Sequence, residues 1–197
     1  MRSIPMKFLL PFLIPAFVGC GSRPTEIPPP TWGAAVSREV AALGSRNWVI
    51  VAESSFPVIS RRGTRTVVID GEIPEVVEYI VNVLEQSENV RPRFTTAREL
   101  PFLVNDLSPG VNQFRERLNV ALHGHAVNQM DHRALTLLAQ SDADKYAVLV
   151  LKTKTALPYS NVYIELDSGF WDREAEARLR LDMSGGAQQL QGNEKIE

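Results

Sequence analysis

The segment from Lys145 to Leu166, KYAVLVLKTKTALPYSNVYIEL, contains two short apolar runs joined by a polar connection. The runs are residues 147–151 (AVLVL) and 162–166 (VYIEL), and both contain β-branched residues. Apolar runs of this length are typical of strands that are buried on both faces, as in a mainly parallel sheet covered by helices. Ligands of such sheets bind at the loops beyond the strand ends, so the connection between the runs is a candidate site.

The connection ends in Leu157-Pro158-Tyr159-Ser160-Asn161. Proline fixes its own φ and biases the preceding residue toward an extended conformation, so the segment presents its side chains in a set geometry. If the chain is extended, Tyr159 and Asn161 lie on the same side of it. A phenol and a carboxamide offer donors and acceptors suited to a polyhydroxylated ligand. The alternative is an ordinary turn, because proline and asparagine are common turn residues.

Strand and helix patterns alternate along the rest of the chain. Before the two runs, the sequence predicts strands at 48–52, 67–69, 90–96 and 126–130. It predicts helices at 32–43, at 74–84, from Ser108-Pro109 through Leu122 and from Asp131 through Leu138. This order predicts an α/β three-layer sandwich with a mainly parallel sheet.

The first twenty residues have the pattern of an export signal. Arg2 and Lys7 precede an apolar run that contains two prolines and is too short to span a membrane. Phe17-Val18-Gly19-Cys20 resembles a bacterial lipobox, which implies a lipid anchor at Cys20 and a location on the cell envelope, on its periplasmic or cell-surface side. A cleaved signal with an incidental cysteine is the alternative.

The chain therefore divides into four predicted parts. A proline-rich tether follows the signal, because consecutive prolines favour an extended spacer. A charged helix at 172–181 closes the domain, and the polar tail after it is predicted to be disordered. The predicted signal, tether, domain and tail are residues 1–20, 21–31, 32–181 and 182–197.

Charge and cysteine content argue against several classes of function. The chain has 21 basic and 23 acidic residues, and this mildly acidic balance argues against nucleic acid as the main partner. Cys20 is the only cysteine, so there is neither an internal disulfide nor a cysteine-based zinc site. His123 and His125 lie one residue apart, and a surface loop is the favoured interpretation of that pair. The sequence predicts neither a metal nor an organic cofactor.

Three motifs, in the same order along the chain, resemble the D-ribose pyranase and L-fucose mutarotase family. Pro158-Tyr159-Ser160-Asn161-Val162 is similar to the family's PYxNV signature. Residues 42–57, ALGSRNWVIVAESSFP, are similar to its opening helix end, first strand and following loop. Asp131-His132-Arg133-Ala134-Leu135 resembles its strand-to-helix junction. Together the motifs indicate a resemblance over residues 34–169.

The resemblance implies a monosaccharide ligand and an isomerase that interconverts sugar anomers or ring forms. It implies ligand-binding roles for Tyr159, Asn161 and His132, with Ser160 in the same segment, and places Glu53 where the family has a sugar-binding aspartate. Ring opening delivers a proton to one oxygen and removes one from another, so His132 and Glu53 are the predicted catalytic groups. The resemblance also implies a homo-oligomer whose sites are completed by neighbouring subunits.

One position departs from the family pattern. The family's catalytic histidine follows the glycine that ends the first helix, and Ser45 stands at that place, followed by Arg46. Neither is a good general base, because an unassisted serine hydroxyl hardly ionises and arginine stays protonated. Either His123 or His125 replaces the missing group, or the chain binds sugar without efficient ring opening. Ser45 is retained as a predicted substrate contact.

Two non-enzymatic alternatives follow from this departure. The first is a sugar-binding or structural lipoprotein of the cell envelope that has lost catalysis. The second is a scaffold subunit of an envelope assembly that has no small ligand.

Overall fold

The computed structural model describes residues 30–193, which form one sheet with helices on both faces. The strands are β1 (Trp48–Ala52), β2 (Thr64–Val68), β3 (Val90–Ala97), β4 (Val127–Met130), β5 (Val148–Lys152) and β6 (Val162–Ser168). The helices are α1 (Gly33–Ala41), α2 (Ile73–Glu85), α3 (Val111–Ala121), α4 (His132–Asp142) and α5 (Arg173–Asn193), with a short 3-10 helix at Leu100–Phe102. The predicted signal, its Cys20 and the tether up to residue 29 lie outside the described residues.

The sheet has the strand order β2-β5-β1-β6-β3-β4. β5 pairs in parallel with β1 and β2, and β3 pairs in parallel with β4. β6 runs antiparallel to both of its neighbours, β1 and β3. The other five strands therefore share one direction, which confirms the predicted mainly parallel sheet. Because β6 is reversed, it begins at the edge where the other strands end.

The sheet is buried on both faces at its centre. Val49 and Val51 of β1 face a core that α1, α2 and α3 cover. Trp48 and Ile50 face a second core that α4 covers. This two-sided burial explains why the central strands have no alternating pattern, and it confirms the predicted three-layer α/β sandwich.

The structure also explains the positions of one proline and one aspartate in the sequence. Pro92 lacks a backbone N–H and lies in the half of β3 that pairs with β6 alone, since β4 pairs only with the stretch from Phe94 to Ala97. Asp131 is the N-cap of α4, and its carboxylate accepts hydrogen bonds from the backbone N–H groups of Arg133 and Ala134. The cap at Asp131 agrees with the predicted start of this helix.

Helix ends are less well predicted. Helix α3 begins two residues after Pro109, because Gly110 adopts a φ of 90° just before it. In the turn between α1 and β1, Arg46 has a positive φ of 70°. Helix α5 runs to Asn193, beyond the predicted end at Leu181. In residues 30–193, no helix is both long enough and apolar enough to cross a membrane.

A glycine substitution tests the packing between β2 and the loop before β5. A Cβ atom at Gly63 would lie 2.5 Å from the carbonyl oxygens of Ala143 and Tyr146, both of which belong to the backbone. We expect Gly63→Ala to lower the free energy of unfolding by about 1–3 kcal/mol in denaturant titrations. Gly44→Ala is the control, because nothing lies within 4 Å of its added Cβ. Equal unfolding midpoints for the two variants would contradict this packing.

Candidate functional site

A cavity of about 490 Å³ lies at the edge of the sheet where β1 ends and β6 begins. Its lining comes from three separate segments: the turn after β1, the first residue of α4 and the loop between β5 and β6. The lining residues are Glu53, Ser54, Ser55, His132, Ala156, Leu157, Pro158, Tyr159 and Asn161. The structure therefore brings Glu53, His132, Tyr159 and Asn161 together within a single chain.

Asn161 joins the start of β6 to the end of β1. Its side chain is 1% exposed, and its Oδ1 accepts a hydrogen bond of 2.7 Å from the backbone N–H of Glu53. Because the carbonyl oxygen is engaged, the amide nitrogen is the part of this carboxamide that is left to donate to a ligand. Asn161 therefore has a structural role as well as a place in the cavity.

The Glu53 carboxylate is held over the turn that follows β1. Its Oε2 accepts hydrogen bonds of 2.6 Å from both the backbone N–H and the hydroxyl of Ser55. The backbone N–H of Ser54 donates to the carbonyl of Thr155 at 2.8 Å, which ties this turn to the loop between β5 and β6. With Oε2 fixed in this way, Oε1 is the oxygen left to contact a ligand.

Tyr159 has an unusual backbone conformation. Its φ is 59°, in the left-handed region that non-glycine residues seldom occupy. The buried hydroxyl of Ser160 donates to the carbonyl of Leu157 at 2.7 Å and so holds this turn together. Backbone conformations of this kind are often found at ligand sites. Ser160 thus supports the turn, and its side chain is not part of the cavity lining.

His132 is the first residue of α4, and its ring lies against Tyr159. The two rings meet edge to face with a centroid distance of 5.3 Å. The ring Nδ1 is buried and has no hydrogen-bond partner within residues 30–193. Nε2 is therefore the ring nitrogen left to contact a ligand.

Glu99 is a further residue beside the site, and the sequence reasoning missed it. Both of its carboxylate oxygens accept from the backbone N–H of His132, at 3.2 and 3.3 Å. Glu99 follows the end of β3, at the same edge of the sheet as the cavity. The signal in the sequence is an acidic residue two positions after the end of a strand.

Ser45, His123 and His125 lie at the opposite edge of the sheet. Ser45 precedes β1 whereas Glu53 follows it, and a strand of this length spans about 16 Å. Likewise, the two histidines precede β4, whereas His132 follows it. The predicted contact of Ser45 and the replacement by His123 or His125 are therefore not made within one chain, and they stay predictions for a site shared between chains.

His123 and His125 have a different partner. His125 Nε2 lies 2.9 Å from one carboxylate oxygen of Glu85, and His123 Nδ1 lies 3.5 Å from the other. The hydrogen bond from His125 lowers the pKa of Glu85, and His123 adds to this effect. Within residues 30–193, no three acidic, histidine or cysteine side chains are grouped so that they could hold a metal ion.

Tyr163 is a buried phenol on the α4 side of β6, below the cavity. Burial raises the pKa of its hydroxyl; the Thr136 hydroxyl acts against this, and the negative charge of Glu53 adds to it. Tyr163 is therefore neutral at physiological pH. The Glu53 carboxylate is therefore close enough to this face of the sheet to raise the pKa of a phenol buried there.

No family model and no curated protein matches the sequence. Similar solved structures include RbsD of Bacillus subtilis complexed with D-ribose, at 14% identity and a TM-score of 0.47 over 68% of this chain and 92% of that chain. The fucose mutarotase of Streptococcus pneumoniae in complex with L-fucose has 14% identity and a TM-score of 0.45 over 68% and 91%. FucU from Bifidobacterium longum has 14% identity and a TM-score of 0.46 over 68% and 92%. At 14% identity, the assignment of a function rests on the side chains of this chain alone.

The structural role of Asn161 can be separated from that of Tyr159 by their stabilities. Asn161→Ala leaves the backbone N–H of Glu53 without its partner, which should lower the free energy of unfolding by about 1–3 kcal/mol. Tyr159→Phe removes only a hydroxyl from a partly exposed ring, so we expect a change within about 0.5 kcal/mol. Denaturant titrations of both variants check this. An Asn161→Ala variant as stable as Tyr159→Phe would show that the hydrogen bond between Asn161 and the Glu53 backbone does not hold β1 and β6 together.

The raised pKa of Tyr163 predicts a loss of stability in alkali. Below the ordinary tyrosine value of 10.0, the phenol is protonated in both folded and unfolded chains, so its contribution does not change with pH. Above that value the unfolded chain loses the proton first, and the folded state is destabilised. We expect the free energy of unfolding of the wild type to fall more steeply above pH 10 than that of Tyr163→Phe. Parallel curves would disprove this effect.

Proposed function

We propose that the cavity binds a neutral monosaccharide. The observation that carries this proposal is the convergence of a carboxylate, an imidazole, a phenol and a carboxamide, from Glu53, His132, Tyr159 and Asn161, on one cavity. These groups both donate and accept hydrogen bonds, as the hydroxyls of a sugar require. The volume of about 490 Å³ lies within the range of ligand pockets, about 300–1,000 Å³.

The cavity also offers apolar surface beside the polar groups. Leu157, Pro158 and the ring of Tyr159 form one part of the lining, whereas Glu53 and His132 form another. A sugar ring has hydroxyls at its rim and C–H groups on its faces, so it needs both kinds of contact. Small-molecule sites commonly combine an apolar wall with a few placed polar groups.

The charge of the lining disfavours anionic sugars. Among residues 30–193, Glu53 is the only acidic residue that lines this cavity, and no lysine or arginine does. A phosphate or carboxylate at about 5 Å from this carboxylate would be disfavoured by about 1–3 kcal/mol in a partly solvated site. That energy corresponds to roughly a tenfold to hundredfold weaker binding of sugar phosphates and sugar acids.

After binding, the same groups can catalyse the opening of the sugar ring. Opening a cyclic sugar removes the proton of the anomeric hydroxyl, breaks the bond between the anomeric carbon and the ring oxygen, and delivers a proton to that oxygen. Closure on the other face of the carbonyl reverses these transfers. We assign the two proton transfers to His132 through Nε2 and to Glu53 through Oε1, an imidazole and a carboxylate of the lining. No cofactor takes part in this step.

We also propose that copies of the chain associate. Within the described part of the chain, the edge strand β4 pairs with β3 alone, and its side chains at Asn128, Gln129 and Met130 are exposed. On the loop after β3, Phe102 is 82% exposed and Leu107 is 74% exposed. Exposed apolar side chains and an open strand edge favour association.

A lipid anchor at Cys20 on the cell envelope is a further part of the proposed function, and it rests on the sequence alone.

Binding and exchange measurements on the purified full chain test the function. Magnetisation-transfer NMR with ribose, fucose and other neutral monosaccharides measures anomer and ring-form exchange, and calorimetry measures binding. We expect saturable binding, and exchange faster than in buffer that His132→Gln reduces by about 10²-fold or more. Binding without faster exchange would identify a non-catalytic sugar-binding protein. Neither binding nor exchange across the panel would remove the sugar proposal and favour the scaffold alternative.

Charge selection has a test of its own. The wild type should bind a neutral pentose more tightly than the corresponding pentose phosphate, by roughly tenfold or more, because Glu53 repels the phosphate. Glu53→Gln removes the charge but keeps the side-chain length, so the preference should shrink toward unity. Calorimetric titrations of both proteins with both ligands measure the ratio. A preference that survives in Glu53→Gln would contradict the role of this carboxylate.

A further inference from the structure

The contact between Glu99 and His132 crosses between two elements that are far apart in sequence. Glu99 follows β3 and precedes the short 3-10 helix, whereas His132 begins α4. The Glu99 carboxylate accepts the backbone N–H of His132 with both oxygens, at 3.2 and 3.3 Å. Glu99 therefore fixes the backbone of the residue that carries the imidazole of the cavity.

Capping of α4 alone does not require this contact. Asp131 already accepts from the backbone N–H groups of Arg133 and Ala134, at 3.0 and 3.2 Å. The first N–H groups of a helix have no partner within the helix, and water can serve as their acceptor. Glu99 takes the N–H that Asp131 does not reach, and that N–H belongs to His132.

Arg98 makes two further contacts with the turn between β4 and α4. Its backbone N–H donates to the carbonyl of Met130 at 2.9 Å, and its guanidinium lies 3.1 Å from the Asp131 carboxylate. Arg98 and Glu99 thus hold the residues on either side of the turn between β4 and α4. The position of His132 relative to β3 is set by several contacts rather than by one.

The ring of His132 depends on this backbone anchor. Its buried Nδ1 has no hydrogen-bond partner within residues 30–193, so no contact there orients the ring through this atom. The edge-to-face contact with Tyr159, at 5.3 Å, limits the ring on one side. A displaced backbone would therefore displace the ring of His132, a residue that lines the cavity.

We infer that Glu99 is a positioning residue for His132, acting through the backbone N–H and not through contact with the ligand. This inference rests on the proposed function, because it concerns the imidazole of the same cavity. A displacement of about 1 Å in a catalytic group can cost about 10²-fold in rate. Loss of the Glu99 carboxylate should therefore reduce sugar exchange by about 10- to 100-fold, while the protein stays folded.

The test uses the ring signals of the histidines in the free protein. The chain has 3 histidines, so carbon-proton NMR spectra resolve their rings and His132→Gln assigns the signal of interest. We expect Glu99→Ala to shift the His132 ring signals, which report the position of the ring against Tyr159, and to leave those of His123 and His125 in place. Glu99→Gln retains an acceptor oxygen, so it should return the signals toward their wild-type positions.

A helix-capping variant at another helix serves as the structural control. Glu75 contacts the backbone N–H of Glu72 at 3.4 Å at the start of α2 and does not line the cavity. Glu75→Ala should leave the His132 signals unchanged. Unchanged His132 signals in Glu99→Ala would overturn the inference. If Glu99→Ala does not fold, Glu99→Asp, which is one methylene shorter, replaces it with the same expected shift.

The design separates this inference from the proposed function. The ring signals are measured without sugar, so they decide whether Glu99 positions His132 even if the wild type binds no sugar in the panel. The exchange rate of Glu99→Ala with a bound sugar then shows whether that position matters for catalysis. An unchanged rate alongside shifted ring signals would overturn the catalytic part.

Discussion

The site depends on the hydrogen bond between Asn161 Oδ1 and the backbone N–H of Glu53, at 2.7 Å. Backbone polar groups at a buried strand end need partners, and this N–H lies where β1 leaves the sheet. The partner is available because β6 runs against β1 and starts at the edge where β1 ends. The reversed strand thus places the loop before it over the end of β1.

The cavity forms where three separate segments meet at this edge. The turn after β1 supplies a carboxylate that Ser55 holds, and the loop before β6 supplies a tyrosine in a left-handed conformation. The start of α4 supplies the imidazole of His132, whose backbone Glu99 holds. Hydrogen bonds within the protein hold the side chains of Asn161 and Glu53 and the backbone of His132. A site built in this way loses little conformational freedom on binding.

The sequence was sufficient to predict much of the fold and to single out four residues that line one cavity. Strand β1 has its predicted bounds, because five apolar residues in a row require cover on both faces. The motif residues Glu53 and His132 could be placed at strand ends, and such ends meet at one edge of a parallel sheet. Local patterns were enough for these features.

Features that depend on contacts between distant segments could not be predicted. Asn161 has a structural partner 108 residues away, and Glu99 reaches its partner across 33 residues. Ser160 was predicted to bind substrate, yet its buried hydroxyl holds the turn. Ser45 was matched by its place in a motif, but β1 separates it from the cavity within one chain. Neither spacing nor residue type indicates which group faces a ligand and which faces the protein.

The most direct measurement of the central claim is an NMR titration of the full chain with a neutral monosaccharide, following side-chain signals. Binding in the cavity predicts saturable shifts of the Asn161 amide and of the His132 ring, with a single dissociation constant for both. The His123 and His125 rings, at the opposite edge of the sheet, should keep their positions. Shifts confined to those two histidines, or no saturable shift at Asn161 and His132 with any sugar, would contradict sugar binding in this cavity.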